Sequence, residues 1–165
     1  MARSPLTLAA TVTSALPRVV VTGVGSLSEG TSGRYDSAIA ELDDGRRVVV
    51  RVPVDDGADA DLVAEARALH SLTAGVRGVL PFGAPDVLGE TRVDGRLALV
   101  QTLLPGYRVD AAHVPAGRGI ATALATATAQ VHDLPVTVVR DAGLPLVTAD
   151  EVRADAERLL DAAEA

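Results

Sequence analysis

The sequence predicts an α+β fold: a five-stranded antiparallel sheet with one packed helix, followed by helices that begin a second lobe. Three observations carry this. Two tight-turn signals, Asp43-Asp44-Gly45 and Asp94-Gly95, each sit between β-rich runs and read as hairpins. Between the hairpins, Leu62, Ala66, Leu69 and Leu72 recur at helical spacing. Beyond Pro105-Gly106 strand signals stop, and an Ala-rich helical stretch follows.

Taken in order, Leu6 to Leu16 is predicted helical, with Ser4 as N-cap, Pro5 at the first helical position and Pro17 as the stop. Arg18 to Val24 is a β-branched run and reads as the first strand. A small-residue loop, Ser28 to Gly33, leads to Tyr35–Leu42, which alternates as a second strand. After the turn, Arg47 to Val54 returns as the third. Asp59 to Leu72 is the inserted helix, and Leu80 to Pro85 reads as a rigid connector. Val87 to Val93 and Arg96 to Leu103 form the second hairpin. Arg118 to His132 and Asp150 to Ala163 read as helices. No internal repeat is present.

Composition narrows the function. At 165 residues the chain suffices for one domain or one lobe with a real core. Hydrophobic residues make up 48% and aromatics only 2%, so the core must be built from Val, Leu, Ile and Ala. Cysteine is absent, which removes disulfides, thiol catalysis and thiolate metal sites. A net charge of −7 argues against nucleic acid as partner. No stretch is long or apolar enough to span a membrane, and Thr7, Thr11, Thr13 and Ser14 interrupt the signal-like start. The expected location is the cytoplasm.

The chemistry-bearing residues lie in three places. In the loop Ser28 to Gly33, the glycines Gly30 and Gly33 flank Thr31 and Ser32; lacking Cβ atoms, they let backbone N–H groups approach phosphate oxygens. The alternative is an ordinary hairpin connection. In the third strand Arg51 interrupts an apolar run, with Val50 and Val52 facing the opposite side. A cation there needs an anionic partner, and Glu65 on the next helix can supply it. The bland alternative is an exposed arginine on an edge strand. The third place is Gln101 to Leu104, where the last strand meets Pro105-Gly106.

Other candidates carry less. Val19 to Gly25 imitates a dinucleotide fingerprint, but Ser28 stands where its third glycine belongs. His70 and His113 have no partner pattern, and His132-Asp133 lies at a helix end without an acid–base spacing. The pairs Asp43-Asp44 and Asp55-Asp56 are explained by turn chemistry.

The order of elements, with Gly33-Arg34-Tyr35-Asp36, Val50-Arg51-Val52-Pro53, Glu65 with Leu69 and Leu72, Leu104-Pro105-Gly106 and Ala129-Gln130-Val131-His132 in place, resembles the N-terminal nucleotide-binding lobe of the aminoglycoside and macrolide phosphotransferases, a branch of the protein-kinase-like fold. The resemblance spans about Leu27 to Asp161 and implies a kinase-like N-lobe at 18–104 after an N-terminal helix at 1–17. A hinge and linker at 105–117 and the start of a helical C-lobe at 118–165 follow.

It also implies ATP or GTP with Mg²⁺ as cofactor and a small-molecule hydroxyl as acceptor, an aminoglycoside or macrolide antibiotic being the example the resemblance offers. Arg51 is then the α/β-phosphate contact, Glu65 its orienting carboxylate, and the backbone of Gly30, Thr31, Ser32 and Gly33 the phosphate cover. The Thr102 carbonyl and the Leu104 amide become adenine contacts, with Val20, Ile39, Val49 and Leu99 as apolar walls. His132 fits the histidine that closes the helix before the catalytic loop. The aspartate base and the metal-binding Asn and Asp fall outside these residues, since the sequence has no Asn at all. The chain alone is therefore expected to be inactive and to need the remaining C-lobe in cis. The alternative is a non-catalytic lobe used as a binding or interaction module.

Overall fold

The element order in a computed structural model of the chain, which describes residues 2–26, 33–80, 82–106, 119–141, 143 and 148–164, is helix α1 (Pro5–Ala15), strands β1 (Val21–Ser26), β2 (Tyr35–Leu42) and β3 (Arg47–Pro53), helices α2 (Asp56–Ser71) and α3 (Ala74–Val79), strands β4 (Val87–Val93) and β5 (Arg96–Thr102), then helices α4 (Ile120–His132), α5 (Val136–Asp141) and α6 (Ala149–Glu164). All strand pairings are antiparallel, in the spatial order β1-β2-β3-β5-β4. The fold is α+β, a kinase-like N-lobe followed by helices. None of the described helices is long and apolar enough to cross a membrane.

Strand alternation divides the sheet into two faces. Ala38, Ala40 and Leu42 of β2, Val48, Val50 and Val52 of β3, and Ala98 and Val100 of β5 point to one side. They are buried there against Leu8 and Val12 of α1. The small β2 residues let the helix approach closely. Gly89 on β4 continues that approach: a Cβ at this position would lie 2.5 Å from the Ala15 carbonyl oxygen. The chain ahead of α1 is tied down by Arg3, whose guanidinium donates to Asp36 at 3.0 Å, to the Pro53 carbonyl at 3.2 Å and to Asp94 at 2.8 Å. Ser4 caps α1 by accepting from the Thr7 N–H, and Pro5 occupies the first turn, where no intrahelical donor is needed.

The opposite face is covered only in part. Leu97 and Leu99 of β5 are buried beneath Leu62 and Ala66 of α2, with Tyr35, Val63 and Val87 around them. Asp55 caps α2 through the Ala58 N–H at 2.7 Å, and Asp59 accepts from the Leu97 N–H at 2.7 Å, fixing the helix to β5. The rest of this face, around Gly23, Gly25, Ile39, Glu41 and Arg47, stays open as a surface cleft of about 380 Å³.

The structure departs from the expected elements in a few places. The first strand begins at Val21 rather than Arg18, because α1 needs Leu16 to Val20 to turn back to the sheet. The inserted helix starts earlier, at Asp56, since Asp55 supplies the cap. Two short helices, α3 and α5, are additional. Each has six residues, too few for a periodic apolar face to register. The Ala-rich helix is described from Ile120, so the expected start at Arg118 lies outside the described residues, as do His113 and linker positions 107–117.

Candidate functional site

Arg51 lies on β3, the middle strand of the sheet, so the edge-strand alternative does not hold. It pairs with Ser37 on one side and Leu99 on the other. Its neighbours Val50 and Val52 are buried under α1, so alternation sends the guanidinium to the α2 face. There its Nη1 donates to Glu65 Oε1 at 2.5 Å. The helix places this carboxylate because Leu62 and Ala66 are its buried anchors, and Glu65 lies at the edge of that stripe. Arg51 retains 19% of its side-chain exposure and Glu65 35%. The pair is desolvated on the arginine side and reachable from solvent on the carboxylate side.

Tyr35, noted in the sequence only within the Gly33-to-Asp36 stretch, has a role at the site that the sequence did not assign. The Arg51 guanidinium carbon sits 4.4 Å from the centroid of the Tyr35 ring, a stacked cation–π contact. The planar guanidinium is therefore held by a ring and by a carboxylate. An ammonium would have no plane to stack. A signal was present: the sequence has only two Tyr and one Phe, and one of these rare aromatics stands two positions after Gly33.

Of the loop residues, Gly33 is described, whereas Gly30, Thr31 and Ser32 lie outside the described residues. Gly33 has φ of +68°, a left-handed conformation in which a side chain would be strained. With Tyr35, Val54 and the Arg3, Asp36 and Asp94 cluster it lines a cleft of about 540 Å³ at the end of the sheet. The neighbouring Arg34 pairs with Asp61 of α2. The hydrogen bond to that carboxylate holds the guanidinium pKa above its ordinary value. Arg34 and Arg51 thus both reach α2, one turn apart, through Asp61 and Glu65.

The C-terminal end of β5 is ordered by Asp86. The Thr102 N–H donates to the Asp86 carbonyl at 3.0 Å, and the Thr102 hydroxyl accepts from the Asp86 N–H at 2.9 Å. Leu104 follows, 41% exposed. The proposed apolar walls separate into two kinds. Ile39 lines the open cleft, and Val49 stands beside it in register on β3. Leu99 is fully buried beneath α2 and is core, whereas Val20 is 61% exposed and lies ahead of β1. His132 ends α4 and His70 pairs with Glu90 at 2.8 Å on the surface.

The open face therefore has an order along β3. Arg47 stands at the end beside Thr102 of β5, Val49 comes next, and Arg51 stands toward the end that pairs with Tyr35 and Ser37 of β2. Val49 and Arg51 are two residues apart on one face, about 7 Å. The arrangement offers an apolar shelf followed by a fixed cation, chemistry suited to an anion attached to a flat apolar group. Among the described residues no group of three or more His, Cys, Asp or Glu lies together to hold a metal ion.

Residues 27–165 match the model of the phosphotransferase enzyme family. No curated protein matches the sequence significantly. Among solved structures, a macrolide 2'-phosphotransferase type I is 25% identical, with a TM-score of 0.63 over 99% of this chain and 55% of its own. The apoenzyme of macrolide 2'-phosphotransferase MphH from Brachybacterium faecium is 20% identical, with a TM-score of 0.69 over 94% of this chain and 51% of its own. The GDP complex of wild-type aminoglycoside 2'-phosphotransferase-IIIa is 21% identical, with a TM-score of 0.71 over 98% of this chain and 52% of its own. The last two likenesses show the fold. The chain spans about half the length of the solved structures it matches.

Proposed function

Because the chain belongs to the phosphotransferase enzyme family, we propose that it is the nucleotide-binding portion of an ATP- or GTP-dependent kinase that phosphorylates a hydroxyl on a small molecule, an aminoglycoside or macrolide antibiotic being the class to test first. The observation that carries this reading is the Arg51–Glu65 pair on the central strand, beside an open apolar shelf. Arg51 binds the α- and β-phosphates and Glu65 keeps its guanidinium aimed at them. The backbone from Gly30 to Gly33 covers the phosphates, and the Thr102 carbonyl and Leu104 amide meet the base. Ile39 and Val49 form its apolar wall. The lobe boundaries that go with this reading are 18–104 for the nucleotide lobe, 105–117 for the hinge and linker, and 118–165 for the first part of the helical lobe. The setting is the cytoplasm, where nucleotide triphosphate is available.

Phosphoryl transfer depends on positioning and charge neutralisation, and these residues contribute to both. Mg²⁺ supplies neutralisation of the transferring phosphoryl group when it enters with the nucleotide. What this chain's residues do is hold the phosphates, orient the arginine and shelter the base. None of these named residues is an aspartate that could accept the hydroxyl proton. The expected result for the purified 165-residue chain is thus nucleotide binding without turnover. Steady-state phosphorylation of macrolides or aminoglycosides well above background would contradict the second half of that expectation. Absence of nucleotide binding would contradict the first.

The alternative, a non-catalytic lobe that serves as an interaction module, draws on α4, where Leu124 is 57% exposed and Val131 44%. Nucleotide binding separates the two readings, since an interaction module has no need of it.

A further inference from the structure

We propose that Arg77, on the short helix α3, is the positioning residue that sets where Glu65 meets Arg51. The proposal rests on the reading of Arg51 as the phosphate contact and adds to it the group that holds the pair in place.

Arg77 converges on more acceptors than any other described side chain. Its Nε donates to the Leu72 carbonyl at 2.9 Å and its Nη1 to the Ala84 carbonyl at 2.8 Å. Its Nη2 donates to the Leu69 carbonyl at 3.2 Å and the Pro85 carbonyl at 3.1 Å. An ion pair with Asp86 at 3.3 Å completes the set. Leu69 and Leu72 carry carbonyls at the C-terminal end of α2, where the Leu69 carbonyl also accepts a long bond from the Leu72 N–H at 3.3 Å. Ala84, Pro85 and Asp86 are the segment that leads into β4, and Asp86 also bonds to Thr102 at the end of β5. One guanidinium therefore joins the end of α2 to the connector from which both strands of the second hairpin are fixed.

The consequence for Glu65 is geometric. Glu65 lies one turn before Leu69, about 6 Å along the helix axis. At its other end α2 is held to β5 by the Asp59 bond to the Leu97 N–H and by Arg96, which pairs with Asp56 at 2.9 Å. These contacts hold α2 at both ends, on either side of the Leu62 and Ala66 anchors. The second link at the C-terminal end, His70 to Glu90, is exposed and joins only two side-chain tips. Among the described residues beyond the C-terminal end of α2, Arg77 is the side chain that bonds to the helix backbone. A planar fork with donors on three nitrogens suits four converging carbonyls, and a lysine ammonium does not reproduce it. Arg77 touches no phosphate. Its effect on a nucleotide passes through Glu65.

The test uses the full chain with Arg77→Lys and Arg77→Gln as independent variants, each first shown by circular dichroism to be folded. Two readouts are taken. In ligand-free protein, the side-chain ¹H–¹⁵N signal of Arg51, assigned by its loss in Arg51→Lys, reports the ion pair directly. The expected result is a shift toward the position seen in Glu65→Gln. In titrations with Mg-ATP and Mg-GTP, the Arg77 variants should bind about fivefold more weakly. In a Glu65→Gln background the same Arg77 changes should cost less than about twofold, because the two residues act in series. An unmoved Arg51 signal in a folded variant overturns the proposal. So does a nucleotide penalty that is undiminished in the Glu65→Gln background, the mark of a general structural role. Failure of the unmodified chain to bind nucleotide counts against the nucleotide reading, and the Arg51 signal still decides the role of Arg77.

Discussion

Arg51 on the central strand and Glu65 on the helix after it meet at 2.5 Å, with the Tyr35 ring stacked on the guanidinium at 4.4 Å. The cation is thus restrained from two directions before any ligand arrives. A group fixed in this way loses little rotamer freedom on binding, which favours its use as a pre-set phosphate contact.

Arg51→Lys is therefore not a conservative change. The ammonium keeps the charge and can reach Glu65, but it loses the planar stack. The expected loss of folding stability is about 0.5–1 kcal/mol, the size of a partly exposed cation–π contact. Tyr35→Leu should cost a similar amount alone and little more when combined with Arg51→Lys. Urea denaturation of the two single variants and the double variant measures this coupling, and additive losses would show the stack to be incidental.

Leu62 is fully buried and is the main anchor of α2 on Leu97 and Leu99. Leu62→Ala should destabilise the chain by about 2–5 kcal/mol through lost burial and the cavity left behind. Because the same contact holds Glu65 over β3, nucleotide affinity should fall as well. Denaturation gives the first number and a titration below the melting temperature gives the second. A loss under 1 kcal/mol would mean that α2 is not anchored where the structure places it.

Gly89 marks the crossing of β4 beneath the end of α1. A Cβ there would stand 2.5 Å from the Ala15 carbonyl oxygen and 2.8 Å from Leu16 Cδ2; the leucine tip can shift, but the backbone carbonyl cannot yield cheaply. Gly89→Ala should destabilise by about 1–3 kcal/mol, the range for overpacking. A compensating Leu16→Ala change should recover only part of it, because the carbonyl contact remains. Thermal melts of both variants test the claim.

The β2–β3 turn has its own pH signature. The Asp44 carboxylate lies below its ordinary pKa because it accepts hydrogen bonds from the Arg46 side chain and backbone N–H. A depressed folded-state value means stability that is present above the ordinary carboxylate range and lost as pH falls through the depressed value. The group is fully exposed, so the effect on global stability is small. It should still be visible in an NMR titration as a low Asp44 midpoint, which Arg46→Ala returns upward. An unchanged midpoint in that variant would exclude the pairing.

How much of this was legible in the residues follows from physics that is local or not. Both hairpins could be read because turn chemistry is written in adjacent residues; β2 and β4 have the bounds that alternation and the Asp-Gly signals gave. Arg51 and Glu65 stood out because a cation in a valine run demands a partner. Arg77 gave no such signal. Its partners are main-chain carbonyls, which every residue carries, and they converge only after α2, α3 and the connector have folded together. Tyr35 was hidden for a related reason, as its contact with Arg51 is made across strands 16 positions apart in sequence. The covering of one sheet face by α1 is likewise a tertiary fact, since Leu8 and Val12 alone do not say which face they bury.

The most direct test is an isothermal titration of Mg-ATP and Mg-GTP into the purified chain, run in parallel with Arg51→Ala. The account predicts saturable binding of at least one nucleotide by the unmodified chain. It predicts a loss of about 1.5–3 kcal/mol in the variant, the worth of a charged hydrogen bond, with the variant still folded. Equal affinities for the two proteins, or no binding by either, would contradict the assignment of Arg51 as the phosphate contact.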